Sequence, residues 1–220
     1  MHNISSKLLS KSFLHTVGMT LLSMLLLAPV AMAASYEEGE EYELVSPPQP
    51  TTTGDKIEVV ELFWYGCPHC YQFEPYIKRW LKKKPANVEF VRMPGIFRPS
   101  WAILARAYYT AKVLGVLDKM HGAIFEATHE LKRPLTSEAQ LADFFAEHGV
   151  KKEEFSKIFR SFAVESKVRR AMDMSRRYGV KGVPAMIVNG KYRTGGVMAG
   201  SHANTLKVVD YLVKKESQSK

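Results

Sequence analysis

Cysteine is scarce in this chain, which has only two among its 220 residues, Cys67 and Cys70. A closed structural zinc site needs about four ligands, and the single cysteine pair has only His69 beside it. No cysteine precedes Cys67, which excludes anchoring through a lipid on an N-terminal cysteine. No internal repeat and no second set of core-forming elements is found either. The sequence therefore predicts one domain, with room for an insertion.

Acidic residues are absent from the first 33 positions. This stretch has Lys7 and Lys11, then an apolar run over residues 17–30, then the small residues Ala31 and Ala33. The pattern is typical of a secretory signal peptide and predicts cleavage after Ala33. An uncleaved membrane anchor is the alternative. We therefore expect an exported protein.

The chain has fewer acidic than basic residues: 22 Asp and Glu against 31 Lys and Arg give a formal net charge of +9. A basic balance can indicate nucleic acid or anionic membranes as partners. Here the basic residues are scattered in short groups such as Lys151-Lys152 and Arg176-Arg177, which are typical of solvated helix faces. We expect no nucleic-acid partner.

The predicted elements follow the order strand, helix, strand, helical block, two hairpin strands and helix. The strand over residues 57–65 is apolar at odd and even positions, so burial on both faces is expected. The block at 101–178 has apolar residues three and four apart, among them Phe155 and Phe162, which are predicted to lie in the core. Residues 34–54 are acidic and proline-rich and predict a loosely held arm and linker.

The cysteine pair lies where the first long strand gives way to a helix that opens on Pro68. Two cysteines three residues apart in a first helical turn have Cα atoms about 5 to 6 Å apart, within reach of a disulfide. The positive end of the helix favours a thiolate there. A metal site and a structural disulfide are alternatives. A bridge across two residues closes a very short loop and stabilises little, which favours redox chemistry.

Two polar residues are candidates for tuning the cysteines. His69 lies between them, and an imidazole there can donate to a thiolate or stabilise its charge; the alternative is an ordinary exposed helix residue. Glu61 is a charged residue in an otherwise apolar strand, and burial would raise its pKa; the alternative is a strand-end residue paired with a lysine. His121, His129 and His148 have no metal-like partners and are interpreted as ordinary surface or core residues.

Two stretches, ELFWYGCPHCYQFE at 61–74 and GVPAMIVNGKY at 182–192, resemble the DsbA family of bacterial periplasmic thiol:disulfide oxidoreductases. The similarity extends over essentially the whole chain after the signal peptide. It implies an α/β thioredoxin-like fold, a central mixed sheet flanked by helices, with an inserted all-helical domain. The implied division is 55–96 and 181–220 for the thioredoxin-like domain and 97–180 for the insertion.

The resemblance also implies site residues. Cys67 would be the exposed sulfur and Cys70 the buried resolving partner, with a depressed cysteine pKa and an oxidising potential as the family shows. Glu61 would assist proton movement at the buried cysteine. Pro184 would follow a cis peptide bond and face the cysteines, and Val183 would help to bind extended peptide. The alternative for Pro184 is a trans proline that merely starts a strand.

As a member of this family, the protein would be a monomeric periplasmic oxidase without metal or cofactor. Its partners would be exported proteins with free thiols and a quinone-linked inner-membrane protein of the DsbB type that reoxidises it. A disulfide isomerase or reductase is the alternative among enzymes, although residues 34–54 are too short for the dimerisation domain that isomerases of this compartment carry. A peptide-binding chaperone module with structural cysteines is the alternative from another class.

Overall fold

A mixed sheet of five strands is the centre of residues 35–219, the part of the chain that the computed structural model describes. The strands are β1 (Glu43–Leu44), β2 (Ile57–Phe63), β3 (Val88–Pro94), β4 (Ala185–Val188) and β5 (Tyr192–Gly195). They lie in the order β1-β5-β4-β2-β3. The β2–β3 pair is parallel, and the other pairs are antiparallel. The expected signal peptide and its cleavage site lie outside the described residues.

Strand β2 is buried along its whole length, as the sequence predicts. It is hydrogen-bonded on both edges, with Ile57 opposite Val88 of β3 and Val59 opposite Val188 of β4. The strand ends two residues earlier than expected, because the Trp64 carbonyl accepts the N–H of Cys67 (3.0 Å) in a tight turn. This turn leads directly into the first helix.

Eight α-helices and one 3₁₀ turn, Pro99–Trp101, are found in the described residues. The α-helices are α1 (Pro68–Leu81), α2 (Ala102–Val113), α3 (Leu117–His129), α4 (Glu138–Glu147), α5 (Lys152–Phe159), α6 (Phe162–Arg177), α7 (Gly196–Ala199) and α8 (His202–Gln218). Helices α2 to α6 follow one another between β3 and β4. The predicted α/β architecture, a mixed sheet flanked by helices, is confirmed. The division at residues 55–96, 97–180 and 181–220 stays a prediction.

The two faces of the sheet contribute to different apolar cores, because successive side chains of a strand point to opposite faces. Val60 and Leu62 pack with the helical block α2–α6, whereas Ile57 and Val59 pack with α1 and α8. The prediction that Phe162 lies in the core is wrong. It is 84% exposed, and it is the first residue of α6, ahead of the turns whose face packs inward.

The N-terminal segment before β2 is not the loosely held arm that was expected. Tyr42 and Val45 are only 3% and 2% exposed, and β1 pairs with β5. Farther along, Gln49 donates its N–H to the Gly190 carbonyl (2.9 Å). Gly190 has φ +66°, and a Cβ there would lie 2.0 Å from the Gln49 carbonyl oxygen. Only glycine therefore allows this segment to approach the β4–β5 turn so closely.

Candidate active site around Cys67 and Cys70

The cysteine pair lies at the start of α1, where the chain turns out of β2. Cys67 precedes the helix in an extended conformation, and Pro68 is the first helical residue, where the missing N–H of proline is harmless. The Cys67 carbonyl accepts the N–H of Cys70 (3.1 Å) and of Tyr71 (3.2 Å). Both cysteines are free thiols. Cys67 is the more accessible, as expected, but it is only 9% exposed, against 0% for Cys70.

The surroundings of Cys67 stabilise its thiolate. A hydrogen bond from the Cys70 thiol is the largest cause, and backbone N–H groups of Cys70 and His69 add to it. The charge that His69 can carry acts in the same direction, while partial burial opposes all of these. Together they lower the pKa of Cys67 from 9.0 to about 6. In the reduced protein, Cys67 is therefore mostly a thiolate at neutral pH.

The environment of Cys70 has the opposite effect. Burial raises the pKa of Cys70 far above its ordinary value, and the neighbouring Cys67 and Glu61 add to the shift. The two sulfurs thus differ strongly in acidity although they lie within one helical turn. When a thiolate attacks Cys67 and opens a disulfide between them, the electron pair of the broken bond goes to Cys70, which then takes up a proton. Cys67, with the lower pKa, is the better leaving thiolate in the step that follows.

The loop before β4 faces this pair. The Val183–Pro184 peptide bond is cis, as the sequence prediction has it. In the thiol form, Cys67 Sγ donates to the Val183 carbonyl oxygen at 3.4 Å. Gly95, after β3, makes room for this loop, since a Cβ there would lie 2.9 Å from Val183 Cγ1. The structure therefore brings Cys67, Val183 and Pro184 together.

A groove of about 810 Å³ runs from this loop along the N-terminal ends of α7 and α8. Val183 and Pro184 line it on one side, and His69, His202 and Val197 line it elsewhere. His69 is exposed, and Val197 is fully exposed. The groove is thus an open, largely uncharged surface beside the accessible cysteine.

Glu61 is on the other side of the pair and is completely buried. Burial is the main reason why its pKa is raised from 4.5 to about 8, and the charge of Glu74 adds to the shift while Arg92 opposes it. Arg92 Nε donates to Glu61 Oε2 at 3.1 Å. Glu61 Oε1 has no hydrogen-bond partner among the described residues. Glu61 can therefore hold a proton at neutral pH close to the buried cysteine.

Arg92 links Glu61 to a second buried carboxylate. Its Nη2 donates to both oxygens of Glu74, at 3.0 and 3.2 Å. Glu74 is also 3.1 Å from His121 Nε2, and His121 Nδ1 is 2.8 Å from the Tyr65 hydroxyl. Burial alone would raise the pKa of Glu74, but the hydrogen bond from His121 and the charge of Arg92 hold it below its ordinary value. Glu74 is therefore ionised while Glu61 is protonated.

The sequence prediction missed this network beyond Glu61. Glu74 is four residues after Cys70, which places it on the buried face of α1, and Arg92 is the partner of Glu61 in the parallel β2–β3 register. Both spacings could have indicated burial. His121 lies in the core, which the interpretation as a surface or core residue allows, but the hydrogen bonds at both of its ring nitrogens were not predicted. His129 is also engaged, since its Nε2 is 2.8 Å from the Tyr65 carbonyl oxygen.

Two further observations concern the part of the chain that the structure describes. Within residues 35–219, His, Cys, Asp and Glu side chains form no group of three or more that could hold a metal ion. None of the described helices has both the length and the hydropathy needed to cross a bilayer.

Comparisons with known proteins agree with the geometry. Residues 58–207 match the model of the family described as the DSBA-like thioredoxin domain. A thiol:disulfide interchange protein DsbA of Pseudomonas aeruginosa is 46% identical over 186 residues, which cover 84% of this chain and 88% of that protein. The DsbA of Burkholderia cepacia is 39% identical over 91% of this chain and 96% of its own length. A crystal structure of P. aeruginosa DsbA superposes with a TM-score of 0.80 at 45% identity, covering 84% of this chain and 96% of that one.

Proposed function

The chain belongs to the DsbA family of thiol:disulfide interchange proteins, and from this premise we propose that it donates a Cys67–Cys70 disulfide to exported proteins with reduced cysteines. The observation that carries the proposal is the opposite shift of the two thiol pKa values, to about 6 at Cys67 and upward at Cys70. Stabilising the Cys67 thiolate stabilises the reduced enzyme, and this makes the disulfide a stronger oxidant.

The exchange proceeds through a mixed disulfide. A substrate thiolate attacks Cys67 Sγ, the Cys67–Cys70 bond breaks, and its electron pair leaves on Cys70. The second substrate thiolate then attacks the substrate sulfur of the mixed disulfide, and Cys67 leaves as a thiolate. The substrate loses two electrons and two protons. One proton ends on Cys70 and the other is released to water, because the Cys67 thiolate stays unprotonated at neutral pH.

Glu61 is the proposed proton donor to Cys70. Its pKa of about 8 keeps it protonated at pH 7, and it lies close enough for its charge to raise the pKa of Cys70. A positioned acid with a pKa near the working pH is the efficient arrangement for proton transfer. In the reverse direction the Glu61 carboxylate takes the proton from Cys70 when the enzyme is reoxidised.

The groove beside Cys67 is the proposed substrate site. Backbone groups at Val183 can pair with an extended peptide whose cysteine approaches Cys67 Sγ, which itself contacts the Val183 carbonyl. Pro184 shapes this loop. His69, exposed at the same rim, is proposed to stabilise the Cys67 thiolate as the substrate leaves.

The partners and the compartment follow from family membership. We infer that a quinone-linked inner-membrane protein of the DsbB type reoxidises the enzyme, and that the enzyme works in the periplasm as a monomer after cleavage behind Ala33. N-terminal sequencing of protein recovered from the periplasm tests the cleavage site. Sedimentation of the same sample tests the monomer.

The function is tested with purified oxidised protein and a reduced peptide that carries two cysteines. Wild type is expected to oxidise the peptide, and Cys67→Ser is expected to abolish this. Cys70→Ser provides the matched control: its one remaining thiol, Cys67, can attack the disulfide of an oxidised peptide to form a mixed disulfide, but it cannot hold a disulfide of its own and so cannot oxidise the reduced peptide. Since the chain has no third cysteine, any mixed disulfide must use this pair.

Equilibration with glutathione separates the oxidase from its alternatives. We expect a reduction potential well above the value of about −270 mV that is typical of thioredoxin. A potential as low as that of thioredoxin would favour a reductase. Unchanged client folding after Cys67→Ser would favour a chaperone module with structural cysteines.

A further inference from the structure

His121 is a buried histidine in the helical block that reaches the network beneath the cysteines. The residue is 7% exposed. Its ring centroid lies 5.2 Å from those of Phe63 and Phe125, edge to face in both cases. With Nδ1 held at Tyr65 and Nε2 held at Glu74, the imidazole is fixed in position and orientation.

The partners of His121 determine its protonation. Ionised Glu74 can only accept, so His121 Nε2 carries the hydrogen. Burial raises the pKa of Tyr65 well above its ordinary value, so the phenol keeps its proton and donates a hydrogen bond to Nδ1. Burial also lowers the pKa of His121, with Glu74 opposing and Arg92 and Lys78 assisting. The imidazole is therefore neutral and donates a hydrogen bond to Glu74.

The charges around His121 come from two elements. Glu74 and Lys78 belong to α1 and Arg92 belongs to β3, while the uncharged phenols of Tyr65 and Tyr108 face the ring from the end of β2 and from α2. Arg92 is the shared member, since it is hydrogen-bonded to Glu74 and to Glu61. Whatever changes the charge of Glu74 therefore changes how strongly Arg92 acts on Glu61.

We propose that His121, held by Tyr65, is a positioning residue of the redox site: its hydrogen bond keeps Glu74 ionised beside Arg92, and this limits the stabilisation that Arg92 gives to the Glu61 carboxylate. The proposal rests on the proposed function, because Glu61 exchanges its proton with Cys70 there. Without His121, Glu74 loses a donor to its buried carboxylate, so its pKa rises and the proton held by the two carboxylates beside Arg92 shifts toward Glu74. To that extent Arg92 acts more on Glu61, and Glu61 ionises more easily.

The test measures the titration midpoint of Glu61 in the reduced protein, by NMR of carboxyl-labelled glutamate assigned with Glu61→Gln. In wild type we expect a midpoint of about 8. His121→Leu should lower it by about one pH unit, the low end of what a neighbouring charge produces. His121→Gln should restore most of the wild-type value, because its amide can donate to Glu74 while its carbonyl accepts from Tyr65. His148→Leu is the control, since His148 packs on Phe144 in the helical block.

Denaturant unfolding confirms that each variant is folded. Should His121→Leu fail to fold, Tyr65→Phe removes only the hydroxyl and should shift the midpoint in the same direction by less. An unmoved Glu61 midpoint in folded His121→Leu or Tyr65→Phe overturns the proposal, and so does a Gln variant that behaves like Leu. Peptide oxidation by wild type is measured alongside. If wild type does not oxidise, the proposed function fails, whereas oxidation with an unmoved midpoint refutes only the role of His121.

Discussion

The two sides of the cysteine pair are built in opposite ways. On the Cys67 side the molecule presents an open groove, lined by the Val183–Pro184 loop and by exposed residues such as Val197. On the Cys70 side it encloses a hydrogen-bonded network of charged and polar groups, with Glu61 at 0% and Glu74 at 5% exposure. The open groove and the buried charged residues are therefore only about one helical turn apart.

This difference separates two tasks. Contacts in an open, largely apolar groove act on binding, and they leave the acidity of the buried thiol unchanged. Buried ionisable groups contribute little net stability, since desolvation offsets much of what their pairing provides. We therefore infer that their value on the Cys70 side is chemical, because Glu61 can hold a proton close to the buried thiol. Variants on the two sides should accordingly change different measured quantities.

The largest effect is expected from Glu61→Gln, which keeps the shape of the side chain and removes its titration. Below pH 8 the proposed acid for Cys70 is lost, and we expect the first exchange step at pH 7 to slow about 100-fold, the low end of what general acid catalysis contributes. Rapid-mixing kinetics with a thiol peptide measure this rate. The matched control is Glu58→Gln in the same strand, where Glu58 is also buried but accepts hydrogen bonds from Thr52.

The same substitution should also change how the free energy of unfolding depends on pH. Because the pKa of Glu61 is raised from 4.5 to about 8, the folded protein binds more protons than the unfolded chain between these values. The free energy of unfolding therefore falls as pH rises through this range. Glu61→Gln should remove that slope and make the protein more stable at pH 8, by on the order of 4 kcal/mol. An equally steep slope in the variant would contradict the assignment of the raised pKa to Glu61.

How much of this comparison the sequence alone could predict also differs between the two sides. The fold, the helix start at Pro68 and the cis Val183–Pro184 bond follow from strand and helix periodicity, proline chemistry and family resemblance. These are the features that form the groove side. Local patterns determine the helix start, whereas the cis bond and the thioredoxin-like fold were predicted from the family resemblance.

The buried side depends on contacts between distant residues. Glu61 is conspicuous in an apolar strand, but its partner Arg92 is fixed by the register of β2 and β3, and His121 comes from a helix whose packing no local pattern specifies. The burial of the segment before β2 was not predicted from the sequence for the same reason. Its proline-rich composition suggests a linker, whereas its burial arises from pairing with β5 far along the chain.

A smaller effect is expected from Val197→Asp on the groove side. Val197 is fully exposed at the groove, so its substitution should leave the fold and the Cys67 pKa unchanged. Loss of an apolar contact worth about 1 kcal/mol with the bound peptide should raise KM about fivefold. Steady-state kinetics of the oxidation of an unfolded, reduced client protein measure this KM. Phe162→Asp is the control, since Phe162 is 84% exposed and lies outside the groove, and an equal rise in KM there would show a non-specific effect of charge.

The smallest effect concerns the Cys67 thiolate, where the two sides meet. The hydrogen bond from Cys70 is the largest cause of the lowered pKa, and the charge of His69 is the weakest of the causes named. His69→Ala should therefore raise the Cys67 pKa by about half a pH unit or less, and Cys70→Ala by about one unit or more. Thiolate absorbance of the reduced protein against pH measures both.

The sign of this shift also predicts how stability depends on pH. A Cys67 pKa lowered from 9.0 to about 6 stabilises the reduced, folded protein. This stabilisation is present in full above the unfolded pKa and is lost as pH falls through about 6. His69→Ala should barely move that transition, whereas Cys70→Ala should move it upward. If His69→Ala shifts the Cys67 pKa more than Cys70→Ala does, the thiolate is controlled from the groove side, and the division between an open side for binding and a buried side for acidity does not hold at Cys67.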